Sequence, residues 1–165
     1  MLIQNYFENP AVIRIGALPA CSYFIPADNE HAARLRREYS GRFHSLNGRW
    51  RFGFFENVRA LTAPLWEDIG LMDGYGYIDL PSSWQTKGFD QQQYVNIRYP
   101  FPFDPPFVPF ENPCGVYMRS FTYDKRTGTR AVLNCEGIDS CFYLWLNGQF
   151  AGFSKVSYST SRFDI

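Results

Sequence analysis

The sequence predicts an all-β protein, an antiparallel sandwich of jelly-roll type that is preceded by an extended arm. Short runs with large rings or β-branched residues at alternate positions recur along the chain, and Gly, Asn or Asp turns separate them. No long stretch with a helical period lies between these runs. Many short strands at this spacing are typical of a sandwich and not of an α/β fold.

The arm is expected to cover residues 1–40 and the sandwich residues 41–165. Up to about Ser40 the chain mixes Pro, Gly and short apolar pieces, with one charged stretch at 29–38 that is compatible with a short helix. The first strand follows, where Asn47-Gly48 introduces alternating rings over residues 50–54. Further strands are predicted at 77–80, 116–123, 131–135 and 141–146.

The clearest local signal is a hairpin turn at Asn147-Gly148. This pair stands between two aromatic-rich runs, and Asn-Gly is the strongest short-range signal for a two-residue β-hairpin. We therefore expect antiparallel strands on both sides of it.

The stretch at 99–113 holds six prolines within fifteen residues, which excludes a helix. We expect an extended ordered loop or an edge segment, and the alternative is a polyproline-type ligand. Exposed rings would be costly, so its phenylalanines are expected to pin it to the body. These rings are Phe101, Phe103, Phe107 and Phe110. Pro105-Pro106 is a candidate for a cis bond locked by packing, against the general preference for trans.

Composition narrows the classes of partner. The chain has 16 basic and 16 acidic residues, which argues against nucleic acid and against an anionic membrane surface. No run approaches a bilayer span, and the first ten residues do not look like a signal peptide. Aromatic residues make up 19% of the chain, and their rings can fill a core or stack on a sugar.

The cysteines argue against a structural metal and for a reducing location. The chain has only two His, and none of its cysteines forms a C-x-x-C pair. We expect buried free thiols and a cytoplasmic protein. The four cysteines are Cys21, Cys114, Cys135 and Cys141.

Six motifs in a fixed order carry a family resemblance. They are Phe7-Glu8-Asn9-Pro10; Ser45-Leu46-Asn47-Gly48 with Trp50-Arg51-Phe52; Leu80-Pro81-Ser82-Ser83-Trp84-Gln85 with Gly88-Phe89-Asp90; Tyr94-Val95-Asn96-Ile97-Arg98-Tyr99-Pro100; Pro105-Pro106-Phe107-Val108-Pro109 with Glu111-Asn112-Pro113; and Leu144-Trp145-Leu146-Asn147-Gly148 through Gly152-Phe153-Ser154 to Phe163-Asp164-Ile165. Together they resemble the β-galactosidases of glycoside hydrolase family 2.

This resemblance implies an N-terminal sugar-binding domain with a jelly-roll, galactose-binding-domain-like β-sandwich. Such a domain packs beside a catalytic barrel and lends part of one wall to the galactoside site. Both catalytic glutamates of the family lie on the barrel, so no catalytic residue is expected on this chain. No metal ligand is expected here either, although the resemblance implies magnesium and sodium sites elsewhere in the parent enzyme.

One site residue carries over from the family: Asn96 matches an asparagine that points into the sugar pocket. Its carboxamide both donates and accepts, so it can satisfy a sugar hydroxyl that leaves water. The alternative is that Asn96 caps a turn. With the resemblance, the sugar contact is the favoured interpretation.

A second position departs from the family pattern. Some relatives carry an aspartate there that binds the sugar and a sodium ion, and here Val156 takes its place. An apolar side chain can neither ligate a hard cation nor accept from a hydroxyl. A sodium site on this chain is therefore not expected, and the parent either makes fewer contacts to galactose or prefers another glycoside.

Three functions remain open at this stage. The favoured one is a wall domain of an enzyme, whose partners are a galactoside or related neutral sugar and the remaining domains. The alternatives are a free-standing carbohydrate-binding module with its own aromatic platform and an assembly element that uses the arm. The resemblance also implies that further jelly-roll strands follow Ile165, so the chain is expected to be truncated and to self-associate through its unfinished sheet.

Overall fold

The computed structural model describes residues 3–94, 96, 102–125 and 127–165, and the regular secondary structure of this part of the chain consists mainly of antiparallel strands. The strands are β1 (Arg14–Ile15), β2 (Gly48–Phe55), β3 (Gly76–Leu80), β4 (Cys114–Met118), β5 (Val132–Cys135), β6 (Phe142–Leu146), β7 (Gln149–Ser154) and β8 (Ser161–Asp164). One short helix, α1, covers Glu30–Ala33. The predicted all-β antiparallel fold is confirmed.

The strands form three small sheets with the orders β3-β2-β4, β1-β7-β6 and β5-β8. β2 is the central strand of the first sheet and pairs with β3 on one side and β4 on the other. Its Phe52 is only 1% exposed and lies in the core. The strand predicted over residues 50–54 is therefore present.

A stack of two tryptophans links the first sheet to the second. Trp66 packs against a buried cluster of Leu61, Leu65 and Met72, to which β2 and β4 also contribute. The Trp66 ring lies parallel to the Trp145 ring of β6, with centroids 4.2 Å apart and an interplanar angle of 13°. Aromatic burial of this kind holds the layers of a sandwich together.

The predicted hairpin at Asn147-Gly148 is confirmed. Both residues have positive φ, 50° and 76°, as the two central positions of a type I′ turn require. β6 and β7 pair antiparallel on either side, from Leu146↔Gln149 outwards.

Two predicted elements are shorter than expected. The charged stretch at 29–38 forms only the four residues of α1 and a separate 3-10 turn at Arg37–Tyr39. β4 ends at Met118 and not at residue 123, and its pairing with β2 stops at Arg51↔Met118. Just beyond β4, the Arg119 guanidinium donates to the carbonyls of Leu46 and Asn47, which precede β2.

The arm contributes a strand that the sequence did not predict. β1 pairs with β7 through Arg14↔Ser154 and Ile15↔Phe153. Gly152 permits this approach, because a Cβ there would lie 2.4 Å from the Ile15 carbonyl oxygen. The boundary between arm and sandwich at residue 40 stays a prediction.

The expectation that phenylalanines pin the proline-rich segment to the body is wrong for the described rings. Phe103, Phe107 and Phe110 are 80, 61 and 69% exposed, and Phe101 lies outside the described residues. Backbone hydrogen bonds help to hold the segment, among them one from the Val58 N–H to the Asn112 carbonyl at 3.1 Å. The Pro105-Pro106 bond is cis, as the sequence suggested.

All four cysteines are free, and one of them corrects the prediction of burial, because Cys21 is exposed. It lies in the irregular arm, where the Arg162 guanidinium donates to its sulfur. The others are half-buried. Burial raises the pKa of Cys114 to about 11 and that of Cys135 to about 12.

Candidate functional site

Asn96 lies in a bend with an exposed side chain, between two parts of the chain that are fastened to the sandwich. Its neighbours Val95 and residues 97–101 lie outside the described residues. Exposure leaves the carboxamide open to a ligand, and the position was named from the family motif alone. Whether Asn96 contacts a sugar or caps a turn therefore stays a prediction.

The chain before Asn96 is anchored on the first sheet by Trp84 and Phe89. Trp84 lies so close to Gly115 of β4 that a Cβ there would come within 2.6 Å of the ring. The Trp84 Nε1–H donates to the Asp90 carboxylate at 3.2 Å, and the Phe89 ring packs edge-on against the buried ring of β2 at 4.8 Å between centroids. This anchor ends six residues before Asn96.

The chain after Asn96 is anchored by the arm. The Val108 N–H donates to a Glu8 carboxylate oxygen at 3.2 Å, and the Asn5 side chain donates to the other oxygen at 2.6 Å. The Asn5 and Val108 hydrogen bonds, together with the charge of Arg59, hold the pKa of Glu8 below its ordinary value. Glu8 is thus an ionised acceptor at neutral pH that joins the arm to the proline-rich segment.

The arm itself is clamped by two residues of the β1-β7-β6 region. The Tyr143 hydroxyl donates to the Gln4 carbonyl at 2.5 Å and accepts from the Tyr6 N–H at 3.1 Å. The Lys155 ammonium donates to the Asn9 carbonyl at 2.6 Å. All three contacts are to backbone groups of the arm, two carbonyls and one N–H, so no side-chain pattern in the sequence pointed to them.

Val156 lies in the loop that joins β7 to β8, next to the clamping Lys155, and is half-buried. It sits on a different loop from Asn96. An apolar side chain at this position supplies no oxygen to a cation. In the described part of the chain, no group of three or more His, Cys, Asp or Glu residues could hold a metal ion.

The described residues also show no helix that is long and apolar enough to cross a membrane.

The rings around the hairpin form a column in which Tyr6, Tyr143 and Trp145 lie roughly parallel, with successive centroids about 6 Å apart. Tyr6 belongs to the arm and its ring also packs against Phe153 of β7, with centroids 5.5 Å apart. The column therefore helps to dock the arm on the sandwich.

Comparison with known proteins identifies the family. The model of "Glycosyl hydrolases family 2, sugar binding domain" matches residues 43–165. The chain belongs to this family. Its first anchor, at Trp84, and the segment around Asn96 both fall inside the matched region.

Several curated relatives that match the chain are β-galactosidases. The chain is 42% identical to a β-galactosidase of Actinobacillus pleuropneumoniae over 167 residues, which cover all of this chain and 16% of that protein. It is 39% identical to a β-galactosidase of Staphylococcus xylosus and 35% identical to one of Vibrio cholerae, again over all of this chain and 16% of each protein. The chain thus matches the N-terminal sugar-binding domain of these enzymes and spans only 16% of their length.

Proposed function

We propose that the chain is the sugar-binding part of a β-galactosidase and that Asn96 forms part of the wall of the galactoside site. The observation that carries the proposal is the family match over residues 43–165, which includes an exposed asparagine in the family's sugar-contacting motif. The resemblance to β-galactosidases along the whole chain supports galactosides as the substrate class.

The chemistry of hydrolysis is assigned to the remainder of the polypeptide. Retaining hydrolysis needs two carboxyl groups about 5 to 5.5 Å apart that flank the glycosidic bond. In the family this pair belongs to the barrel, as do the catalytic metal sites. The role of this chain is therefore to position and desolvate the sugar, with a carboxamide that pairs a hydroxyl as water leaves.

A reducing, cytoplasmic location is part of the same proposal. It is supported by the four free cysteines, because disulfides form and persist mainly in oxidising compartments.

Self-association of the isolated chain is a further part of the proposal. It is supported by β4 and β6, which are outermost strands of their sheets in the described residues. Sedimentation velocity over about a hundredfold range of concentration tests it, and a single monomeric species throughout would contradict it.

The test of the sugar contact is made in the full-length enzyme. Asn96→Ala is expected to lower kcat/KM for a nitrophenyl galactoside by about 10- to 100-fold, because a sugar hydroxyl loses its partner. Gln92→Ala, at an exposed position of the same segment, is the matched control and should leave kcat/KM unchanged.

Equal kcat/KM for the two variants would contradict the role of Asn96. The isolated chain is expected to release no nitrophenol above background. Turnover by the purified chain that a point change in the chain abolishes would contradict the assignment of the chemistry to the rest of the enzyme.

A further inference from the structure

The tip of the hairpin that joins β6 to β7 carries an open groove of about 290 Å³. Its volume lies near the lower end of small-molecule sites, which span about 300 to 1,000 Å³, so it has room for a ligand such as one sugar ring. The groove is lined by Leu146, Asn147, Gln149, Phe150 and Ala151. One short stretch of chain therefore forms the whole concave surface.

A shift in the strand register brings these side chains together. The pairing of β6 with β7 shifts between Leu144↔Gly152 and Trp145↔Phe150. Ala151 is therefore an extra residue on β7, without an opposite residue on β6. Neighbouring residues of a regular strand point to opposite faces, whereas an extra residue re-aims a side chain. This explains how Phe150 and Ala151 line the same groove although they are neighbours in sequence.

Packing against the segment that carries Trp66 holds the hairpin in place. The Trp145 ring meets the Phe150 ring edge-on at 5.7 Å between centroids and is itself stacked on Trp66 at 4.2 Å. A Cβ added to Gly148 would lie 3.5 Å from the Glu67 carbonyl oxygen, so the same segment also lies against the turn. A groove that is already ordered loses little conformational entropy when a ligand enters it.

The groove offers one aromatic ring and two carboxamides to a ligand. Phe150 is 43% exposed, so part of its ring is open to solvent. Asn147 and Gln149 are exposed, and in the described part of the chain neither side chain has a hydrogen-bond partner. Each carboxamide can both donate and accept a hydrogen bond.

A neutral sugar ring matches this set of groups. None of the five lining residues is charged, so the groove favours neither an anion nor a cation. A pyranose presents an apolar face of C–H groups that can lie on an aromatic ring, and a rim of neutral hydroxyls that can pair with carboxamides. A wholly apolar ligand would displace water from both carboxamides and leave them without partners, which costs free energy.

We propose that this hairpin groove is a binding site for a neutral pyranose, which lies on the Phe150 ring while its hydroxyls pair with Asn147 and Gln149. The groove is formed by hairpin residues alone, and Asn96 lies on a different segment of the chain. The inference therefore goes beyond the proposed function and does not depend on the role of Asn96.

The test places a fluorine reporter on the aromatic ring in the full-length enzyme. Phe150 is replaced by para-fluorophenylalanine, and methyl β-galactoside is titrated while fluorine NMR records the signal. The signal should shift and saturate, with half-saturation in the millimolar range that is expected for so small a ligand. The same reporter at Phe24, which is 59% exposed and lies in the arm, is the matched control and should not shift.

A carboxamide variant tests whether the groove itself takes the sugar. In the reporter enzyme, Gln149→Ala should raise the half-saturation concentration about three- to tenfold, because a sugar hydroxyl loses its partner. Gln92→Ala, which removes an exposed carboxamide on another segment, should leave the half-saturation concentration unchanged. Both positions are exposed, so neither substitution should disturb folding.

Three results would overturn the proposal. A reporter signal that does not move up to about 100 mM methyl β-galactoside would show that the groove takes no sugar. An equal shift with glycerol, which has hydroxyls and no ring face, would assign the effect to the solvent. Loss of the shift in Asn96→Ala would assign the signal to the sugar contact proposed at Asn96.

The failures of the two proposals are distinguishable. A saturable reporter signal together with an unchanged kcat/KM in Asn96→Ala would leave the groove standing and remove the Asn96 contact. A loss of kcat/KM in Asn96→Ala together with a reporter signal that does not move would remove the groove alone.

Discussion

Replacing Gly152 by alanine tests how the arm is held against the sandwich. An added Cβ would lie 2.4 Å from the Ile15 carbonyl oxygen and 2.5 Å from a ring carbon of Phe163. Ile15 belongs to the backbone of β1, and Phe163 is 1% exposed. Neither can move without loss of the β1-β7 pairing or of core packing.

The expected cost follows from these contacts. Overpacking a tight site costs about 1 to 3 kcal/mol, and each hydrogen bond lost between β1 and β7 adds about 1 kcal/mol. We therefore expect the free energy of unfolding to fall by about 3 kcal/mol and the Tm by roughly 6 to 12 °C for a chain of this size.

Thermal and urea denaturation of the isolated chain provide the assay. Gly137→Ala is the matched control, because nothing lies within 4 Å of a Cβ added there. Limited proteolysis should also cut the arm faster in Gly152→Ala than in the control. A Tm for Gly152→Ala within about 1 °C of the Gly137→Ala value would refute the close approach of β1 to β7.

Three further predictions concern the clamp and the thiols. Lys155→Met removes the donor to the Asn9 carbonyl, so proteolysis of the arm should be about fivefold faster, and the exposed Lys87→Met should not change it. At pH 8 a disulfide reagent should modify the exposed Cys21 quickly and the other three cysteines slowly. Burial raises the pKa of Cys114 to about 11, raises the pKa of Cys135 to about 12, and also raises the pKa of Cys141, so little thiolate is present at pH 8. Equal rates for all four cysteines would contradict the burial of these three. The pKa values of these thiols are higher in the folded state than in the unfolded state, where a cysteine has a pKa of about 8.5. Their contribution to the free energy of unfolding is therefore complete below about pH 8.5 and is lost as the pH rises through the folded pKa values. Urea denaturation should show lower stability at about pH 10.5 than at pH 8.

Most of the strands could be predicted from the sequence, because local residue patterns determine them. The alternation around Phe52 and the Asn147-Gly148 turn set strands and a hairpin through short-range sterics, and both are present. β1 was missed, because a two-residue strand shows no periodicity and is held by a close backbone approach at Gly152. This close backbone approach depends on the positions of β1 and β7 relative to each other, which only the three-dimensional structure gives.

The candidate site was less accessible to sequence reasoning. Asn96 was named only through its family motif, because an exposed bend has no pattern that separates a ligand contact from a turn. The direction of the rings at Phe107 and Phe110 was predicted wrongly. Where prolines and backbone hydrogen bonds hold a segment, its rings need not hold it, and composition does not reveal which way they face.

The central claim is that Asn96 of this chain contacts the sugar in a β-galactosidase. The most direct measurement is a crystal structure of the full-length enzyme with galactose bound. We predict that the Asn96 carboxamide lies within hydrogen-bond distance, about 2.7 to 3.2 Å, of a galactose hydroxyl. A galactose whose hydroxyls are all paired by other residues or by water, with the Asn96 side chain beyond about 3.5 Å, would contradict it.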